Sequence, residues 1–410
     1  MKRILMLNTL PLVNFEGDSE DNKTAGNQTL YNTLKGYSEN GFHVTMLTFA
    51  DIPKQSSPFP NIEVRRSRFY PVFKALNQLK VVSDHDETGR NGASFFAKFW
   101  NRMAYREGMD LTEQLKPDLI YGYEIYSTRA AKRMADKLAL PCVSRFQGTE
   151  LGLLLDSPKF KEAHDYLEGT AVDADLIIMA NDGTDGDKVL QRLGIEMNKV
   201  RFWPNGLHDK AHYLDYATDG KYREKMQLPE GAFIICTANR FVDWKRLDRI
   251  IKMMGHLVTI KSQVHLIAIG DGPEKRRLVE MIGSMGLKNV HFPGVMEHEE
   301  TIDHIANADL YITLNESGNL GNSILEALSL GTVVCTLEND SVSKVLEDGF
   351  NAVLFEEMDE KMIAEHLAEL IDDKEKRKML EENGRRYAKK ELLSWPERMK
   401  LEVEEIMKLL

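Results

Sequence analysis

The sequence predicts an α/β protein made of two doubly wound, parallel-sheet domains. Three observations carry this: a length of 410 residues, a regular alternation of short apolar runs with amphipathic helical stretches, and one break in that alternation near the middle. A chain of this length exceeds one ordinary core, so two domains are the default. Strand, helix, strand order places parallel strands under helices on both faces, joined by right-handed crossovers.

In chain order, the first half offers RILMLNT, HVTMLTF, IEVRRSR, DLIYGY, PCVSRF, DLIIMA and VRFWP as strands. The second half offers AFIICTA, VHLIAIG, NVHFPG, DLYITL, TVVCT and NAVLF. Helical patterns such as NQTLYNTLKGYSENG and KRLDRIIKMMGHL stand between them. Residues 204–232 break the pattern, being rich in turn-forming and charged residues. The expected domains are therefore 1–204 and 205–390, with a terminal helix in 391–410 able to cross back to the first. Two such domains facing each other leave a cleft at the carboxyl ends of both sheets, where these folds bind ligands.

Composition narrows the function classes. With 42% hydrophobic and 29% charged residues, a sizeable core can be buried. A net charge of −11 argues against broad nucleic-acid binding. Cys142, Cys236 and Cys335 are far apart in apolar runs and read as buried thiols of a reducing compartment. The first apolar run is short and interrupted by Asn8, Thr9 and Pro11, so it reads as a strand rather than a signal peptide. No stretch has the apolar length of a membrane span, and a cytoplasmic protein is expected. The histidines show no HExxH or HxH spacing and there is no CxxC, so no metal site is expected. G-x-S-x-G and Walker motifs are also missing.

Four stretches can carry chemistry. In ANRFVDWKRL, Arg240 and Lys245 flank a strand-to-helix turn, with Lys245 expected at the helix start. A cation there opposes the helix dipole unless an anion is bound, and an Arg fork with a Lys point charge suits a diphosphate. The same spacing suits an exposed loop salt-bridged to Asp243 or Asp248. In LIAIGDGPEKRRL, Gly270 and Gly272 follow a strand, so the backbone can approach a ligand or simply turn tightly. The third glycine of the dinucleotide fingerprint is replaced by Lys275. In SGNLGNSILEALSLG, Asn319, Leu320 and Gly321 offer consecutive N–H groups at a helix start. Glu326 farther along can accept from two vicinal hydroxyls, as a ribose presents; an Asn-capped helix with a surface Glu fits the spacing equally. Finally, Gly26 in NKTAGNQTLYNTL lets the first loop approach a ligand or solvent. Outside these, VRRSRFYPVFKALNQLK and SFFAKFWNRMAYR are basic and aromatic together. They suit either solvated helix faces or a surface for an anionic acceptor or membrane face. Residues 84–93 read as a mobile loop.

In this order, the pieces NRFVDWKRLDRII, IGDGPEKRRL, VHFPGVME, ADLYITLNESGNLGNSILEALSLGTVV and LEDGFNAVLF, with FWPNGL before them, resemble retaining glycosyltransferase family 4. The resemblance covers nearly the whole chain and implies the GT-B architecture, two Rossmann-like domains across a cleft. It implies that Arg240 and Lys245 neutralise a diphosphate and that Glu326 bonds a ribose. By the same resemblance Asn319, Leu320, Gly321 and Asn322 hold the sugar and distal phosphate, Val295 pairs its backbone with the base, and Gly26 and Gly270 line the donor. No metal or other cofactor is implied. Two positions depart from the family pattern. The acid eight residues before Glu326 is replaced by Gly318, with Glu316 two residues away, and the histidine after the fifth strand is replaced by Gln147. Gln147, Gly148, Thr149 and Glu150 are then an acceptor or sugar pocket of altered chemistry. The expected activity is transfer of a sugar from a UDP- or GDP-sugar to a glycan or glycolipid. The alternative is an inactive GT-B subunit that binds a partner or a nucleotide-sugar without turnover.

Overall fold

The computed structural model describes residues 1–8, 28–49, 55–78, 92–356 and 359–410. They form two compact units, one of residues 1–181, 185–205 and 395–410, the other of 182–184 and 206–394.

The first unit holds an eight-stranded sheet of β1 (Arg3–Asn8), β2 (His43–Thr48), β3 (Gln55–Phe59), β4 (Ile62–Arg66), β5 (Leu119–Tyr123), β6 (Cys142–Phe146), β7 (Leu176–Ala180) and β8 (Val200–Trp203). Its order is β3-β4-β2-β1-β5-β6-β7-β8, and every described pairing is parallel except β3 with β4. β3 falls in no apolar run. It is an edge strand containing Pro58, which lacks the N–H a central strand must donate, so its sequence does not look like a strand. Along β1, side chains alternate between faces. Ile4 and Met6 join a core with Leu34, Tyr37 and Met399, while Leu5 and Leu7 join one with Trp100 and Met134. Both faces are apolar because helices cover both.

The helix Trp395–Met407 packs within this unit and brings in Glu402, which is fully buried. Glu402 ion-pairs with Arg145 of β6, and Arg398 lies 3.3 Å from its Oε2. Its Oε1 accepts from the hydroxyls of Tyr37 at 2.5 Å and Tyr121 at 3.0 Å. Burial alone would raise this carboxyl; Arg145, Arg398 and the two phenols outweigh burial and hold it below the usual carboxylate range.

The second unit holds β9 (Phe233–Ala238), β10 (Val264–Ile269), β11 (Val290–Gly294), β12 (Leu310–Ile312), β13 (Val333–Leu337) and β14 (Val353–Phe355), all parallel, in the order β11-β10-β9-β12-β13-β14. In each sheet the strand order reverses once, between β1 and β5 and between β9 and β12. The crevice outside the carboxyl ends of the strands at such a reversal is where doubly wound sheets take ligands. The three cysteines are free and buried, with Cys142 pushed up to about 12 by burial. Among the described residues no helix is long and apolar enough to cross a membrane.

Candidate functional site

In the second unit, β9 runs into residues 239–242, a 3-10 turn Asp243–Lys245, then Arg246 in the left-handed region (φ 46°) and the helix Leu247–Ile260. Lys245 therefore sits in the turn before the helix, not at its first position. Asp248 is taken by Arg246 at 3.2 Å and Lys252 at 3.6 Å. Among the described residues no carboxylate lies within 4 Å of Arg240 or Lys245. Arg240 is exposed. Lys245 is half-buried, its Nζ 4.2 Å from the Trp244 ring centroid. Desolvation lowers its ammonium to about 8, and the charge of Asp182 opposes that only in part. Asp182 is pushed up to about 6 by burial, against the hydrogen bond from Thr184 and the charge of Lys245.

Gly270, past β10, comes close to protein backbone. A Cβ there would lie 1.9 Å from the Asn239 carbonyl oxygen, and one on Gly272 2.3 Å from that of Phe241. These glycines let the loop carrying Arg240 lie across the end of β10. Val295 follows the end of β11 and is half-buried.

The loop after β12 corrects one expectation. Asn319, Leu320 and Gly321 do not present three open N–H groups, because Leu320 donates its N–H to the Asp182 carbonyl at 2.9 Å. Asn319 is buried, and its side chain closes the loop: Oδ1 accepts from the Asn315 N–H at 3.0 Å and Nδ2 donates to the Asn315 carbonyl at 2.9 Å. The helix Asn322–Leu330 is capped by Gly321, not by an asparagine side chain, and nothing lies within 4 Å of a Cβ built on Gly321. The open part of this helix start is thus at Gly321. Gly318 has φ +72°, in the left-handed region that favours glycine, which accounts for the missing acid. Glu326 is buried rather than on the surface, and His298 Nε2 donates to its Oε1 at 2.9 Å.

In the first unit, Gln147–Glu150 leave the carboxyl end of β6. The Gln147 N–H donates to Glu124 Oε1 at 2.8 Å, and its Nε2 to the Tyr123 hydroxyl at 2.5 Å. Gly148 has φ +124°. Thr149 caps the turn Glu150–Leu154, accepting from the Leu151 N–H at 3.2 Å, and Glu150 is exposed. Gly26, and residues 84–91 of the expected loop, lie outside the described residues; 92–93 begin the helix Gly92–Leu115. Two cations of the basic segment are paired locally: Arg65 is held by Glu63 at 2.8 Å and Arg68 by Asp110 at 2.5 Å. A hollow of about 740 Å³, lined by Lys98, Arg102, Arg129, Arg133 and Glu168 among others, lies along the helices of this unit's flank. Among the described residues no cluster of His, Cys, Asp or Glu could hold a metal ion.

Sequence reasoning missed four residues. Asp182, His298 and Tyr213 join the site only through the fold. Glu124, at the end of β5, holds φ 66° and ψ 161°, a region almost confined to glycine. The strand-to-turn position of YGYE was its one available signal.

Residues 219–387 match the family described as glycosyl transferases group 1. An uncharacterized glycosyltransferase of Methanocaldococcus jannaschii is 25% identical over 260 residues. That alignment covers 63% of this chain and 61% of the relative, so the chain spans less than two thirds of that relative's length. Among solved structures, a sucrose-phosphate synthase from Thermosynechococcus elongatus superposes with a TM-score of 0.77 at 17% identity, covering 100% of this chain and 98% of that one. Anabaena HepE, solved in complex with UDP-glucose, superposes with a TM-score of 0.70 at 18% identity, covering 100% of both chains.

Proposed function

We propose that this chain, whose residues 219–387 match the group 1 glycosyl transferases and which has the GT-B fold, moves a sugar from a UDP- or GDP-sugar to a hydroxyl of a glycan or glycolipid, with retention and without a metal. The observation that carries this reading is Lys245: a desolvated cation with no carboxylate within 4 Å and only partly offset by the charge of Asp182, at the reversal point of the second sheet. A fold does not leave a cation half-buried and unpaired without cost; a diphosphate supplies the missing charge. UDP-glucose is bound by HepE, which shares the fold.

In this reading Lys245 and Arg240 hold the diphosphate, and the helix start, open at Gly321 and continuing into Asn322, faces the sugar or distal phosphate. Glu326 takes the ribose, and Val295 and Gly270 line the donor. Gln147 through Glu150 receive the acceptor. The anomeric C–O bond breaks with its electron pair going to the diphosphate, the acceptor oxygen forms the new bond on the same face, and its proton passes to a phosphate oxygen. Cations fixed near the leaving group stabilise the developing charge; one such donor contributes about 3–4 kcal/mol. Contact with an anionic membrane face has weaker support, because Arg65 and Arg68 already have carboxylate partners.

The test is release of nucleotide from a panel of UDP-, GDP- and ADP-sugars, with and without an acceptor mixture, by wild type, Arg240→Ala and Lys245→Ala. Turnover of one donor by wild type, lost in both variants, is the expected result. Donor bound but never turned over in any mixture would give the inactive subunit instead. No binding of any nucleotide-sugar would end the reading.

A further inference from the structure

Resting on the reading of Glu326 as the ribose ligand, we infer that His298 is its positioning residue: it occupies one carboxylate oxygen, so that the ribose is read through a single hydroxyl rather than two.

The argument is geometric. Glu326 has two oxygens with about four acceptor sites in all, and a bidentate reading of vicinal hydroxyls needs an open site on each oxygen. Oε1 already accepts from His298 Nε2 at 2.9 Å. Among the described residues Oε2 has no hydrogen-bond partner, and it is not one of the fully buried atoms. Oε2 is therefore the oxygen presented to a ligand. Because a carboxylate only accepts, Nε2 carries the hydrogen in either charge state of the ring.

The imidazole is committed to this bond. Its other nitrogen, Nδ1, is buried without a partner, so nothing competes for its orientation. His208 stacks on the ring at 5.3 Å with planes 19° apart, and Tyr213 meets it edge-on at 6.4 Å. His298 is the first residue of the helix His298–Ala306, whose start is fixed by a reciprocal capping box between Glu297 and Glu300. Ring and carboxylate are both largely withdrawn from water, at 22% and 6% side-chain exposure, which strengthens the bond. The fully buried Tyr213 hydroxyl is also unpartnered. These walls keep the imidazole from swinging aside to free Oε1.

The experiment measures the Kd of the whole chain for UDP, or GDP if that is the one bound, and for its 2′-deoxy and 3′-deoxy analogues. In wild type, one deoxy analogue should bind about tenfold or more weaker, the scale of one hydrogen bond to a charged group, and the other nearly as well as the parent. His298→Ala frees Oε1, so both analogues should then be penalised alike. His298→Gln keeps a donor for the carboxylate and should retain the asymmetry. Equal penalties in wild type would overturn the inference. So would a His298→Ala protein that weakens all three nucleotides by one common factor, which is what a merely structural residue would do. If Glu326→Gln leaves the analogue ratios unchanged, the ribose reading of Glu326 itself fails. If no nucleotide binds, the donor reading and this inference fall together.

Discussion

Each unit carries charge out of water, and the two handle it in opposite ways. In the first unit Glu402 is fully buried and fully answered, by Arg145, Arg398, Tyr37 and Tyr121. In the second, Lys245 is desolvated with no carboxylate within 4 Å and only the charge of Asp182 acting on it from farther off, beside an exposed Arg240. A buried charge with all its partners joins elements together, here β6 and the last helix. A buried charge without them is a cost the fold tolerates only where something else will bring the counter-charge. Glu402 and Lys245 thus differ in their partners, not in being withdrawn from water.

The largest effect should come from breaking the answered cluster. Glu402→Gln leaves Arg145 and Arg398 buried beside a neutral amide, a loss of about 3–5 kcal/mol. Calorimetry should show the first unit melting earlier, with donor binding by the second unit retained at low temperature. Next comes Lys245→Ala, which removes no existing ion pair. Stability should hold or rise slightly, while donor turnover falls about 10²–10³-fold. If Glu402→Gln were silent in the melt, or Lys245→Ala mainly lowered Tm, the division between the two charges would be wrong.

The pH dependence has the same sign for the two but falls in different windows. The Glu402 carboxyl lies below its unfolded value, so its contribution is present above the unfolded value and is lost as pH falls through the folded one. Lys245 lies below its unfolded value as well, in the alkaline range; there the lowered value marks the cost of the desolvated ammonium rather than a stabilising charge. Between about 8 and the unfolded lysine value near ~10.4 the unfolded chain holds more protons, so stability should rise with pH there. A bound diphosphate favours the ammonium and reverses this. At about pH 8, nucleotide binding should take up a fraction of a proton, measurable by calorimetry in buffers of different ionisation enthalpy. Lys245→Met should abolish the uptake; an unchanged value would place the proton elsewhere.

The sequence made the sheets legible because their central strands are buried on both faces. Their strands read as apolar runs, and only β3, an edge strand with Pro58, escaped. Sequence spacing could group Arg240 with Lys245 because five residues and one turn join them. It could not show that Lys245 sits in a 3-10 turn before the helix, since that depends on Arg246 adopting a left-handed conformation. Nor could it join His298 to Glu326, or Arg145 to Glu402, pairs 28 and 257 residues apart. Such pairs are fixed by sheet order and helix packing, and no local period records them. The consecutive N–H groups of 319–321 misled for a related reason: one donor is spent on Asp182, far away in the chain.

Gly318 offers the smallest test and separates strain from charge. Its φ of +72° disfavours any side chain, by about 1–2 kcal/mol. Space is not the obstacle: a Cβ there would meet the Asp182 carbonyl oxygen at 3.8 Å and the Trp244 ring at 3.9 Å, ordinary contacts. Gly318→Ala should therefore lower stability by about 1 kcal/mol and leave the donor Kd nearly unchanged. Gly318→Glu restores the acid usual at this position in family 4. It should share that strain, but it also places a carboxylate beside Trp244, whose ring Lys245 overlies. If Lys245 is kept unpaired for a diphosphate, the new acid competes for it, and donor affinity should fall with a dependence on salt that Gly318→Ala lacks. If instead Gly318→Glu tightened donor binding, Lys245 would not be the group waiting for the counter-charge, and the contrast with Glu402 would lose its second half.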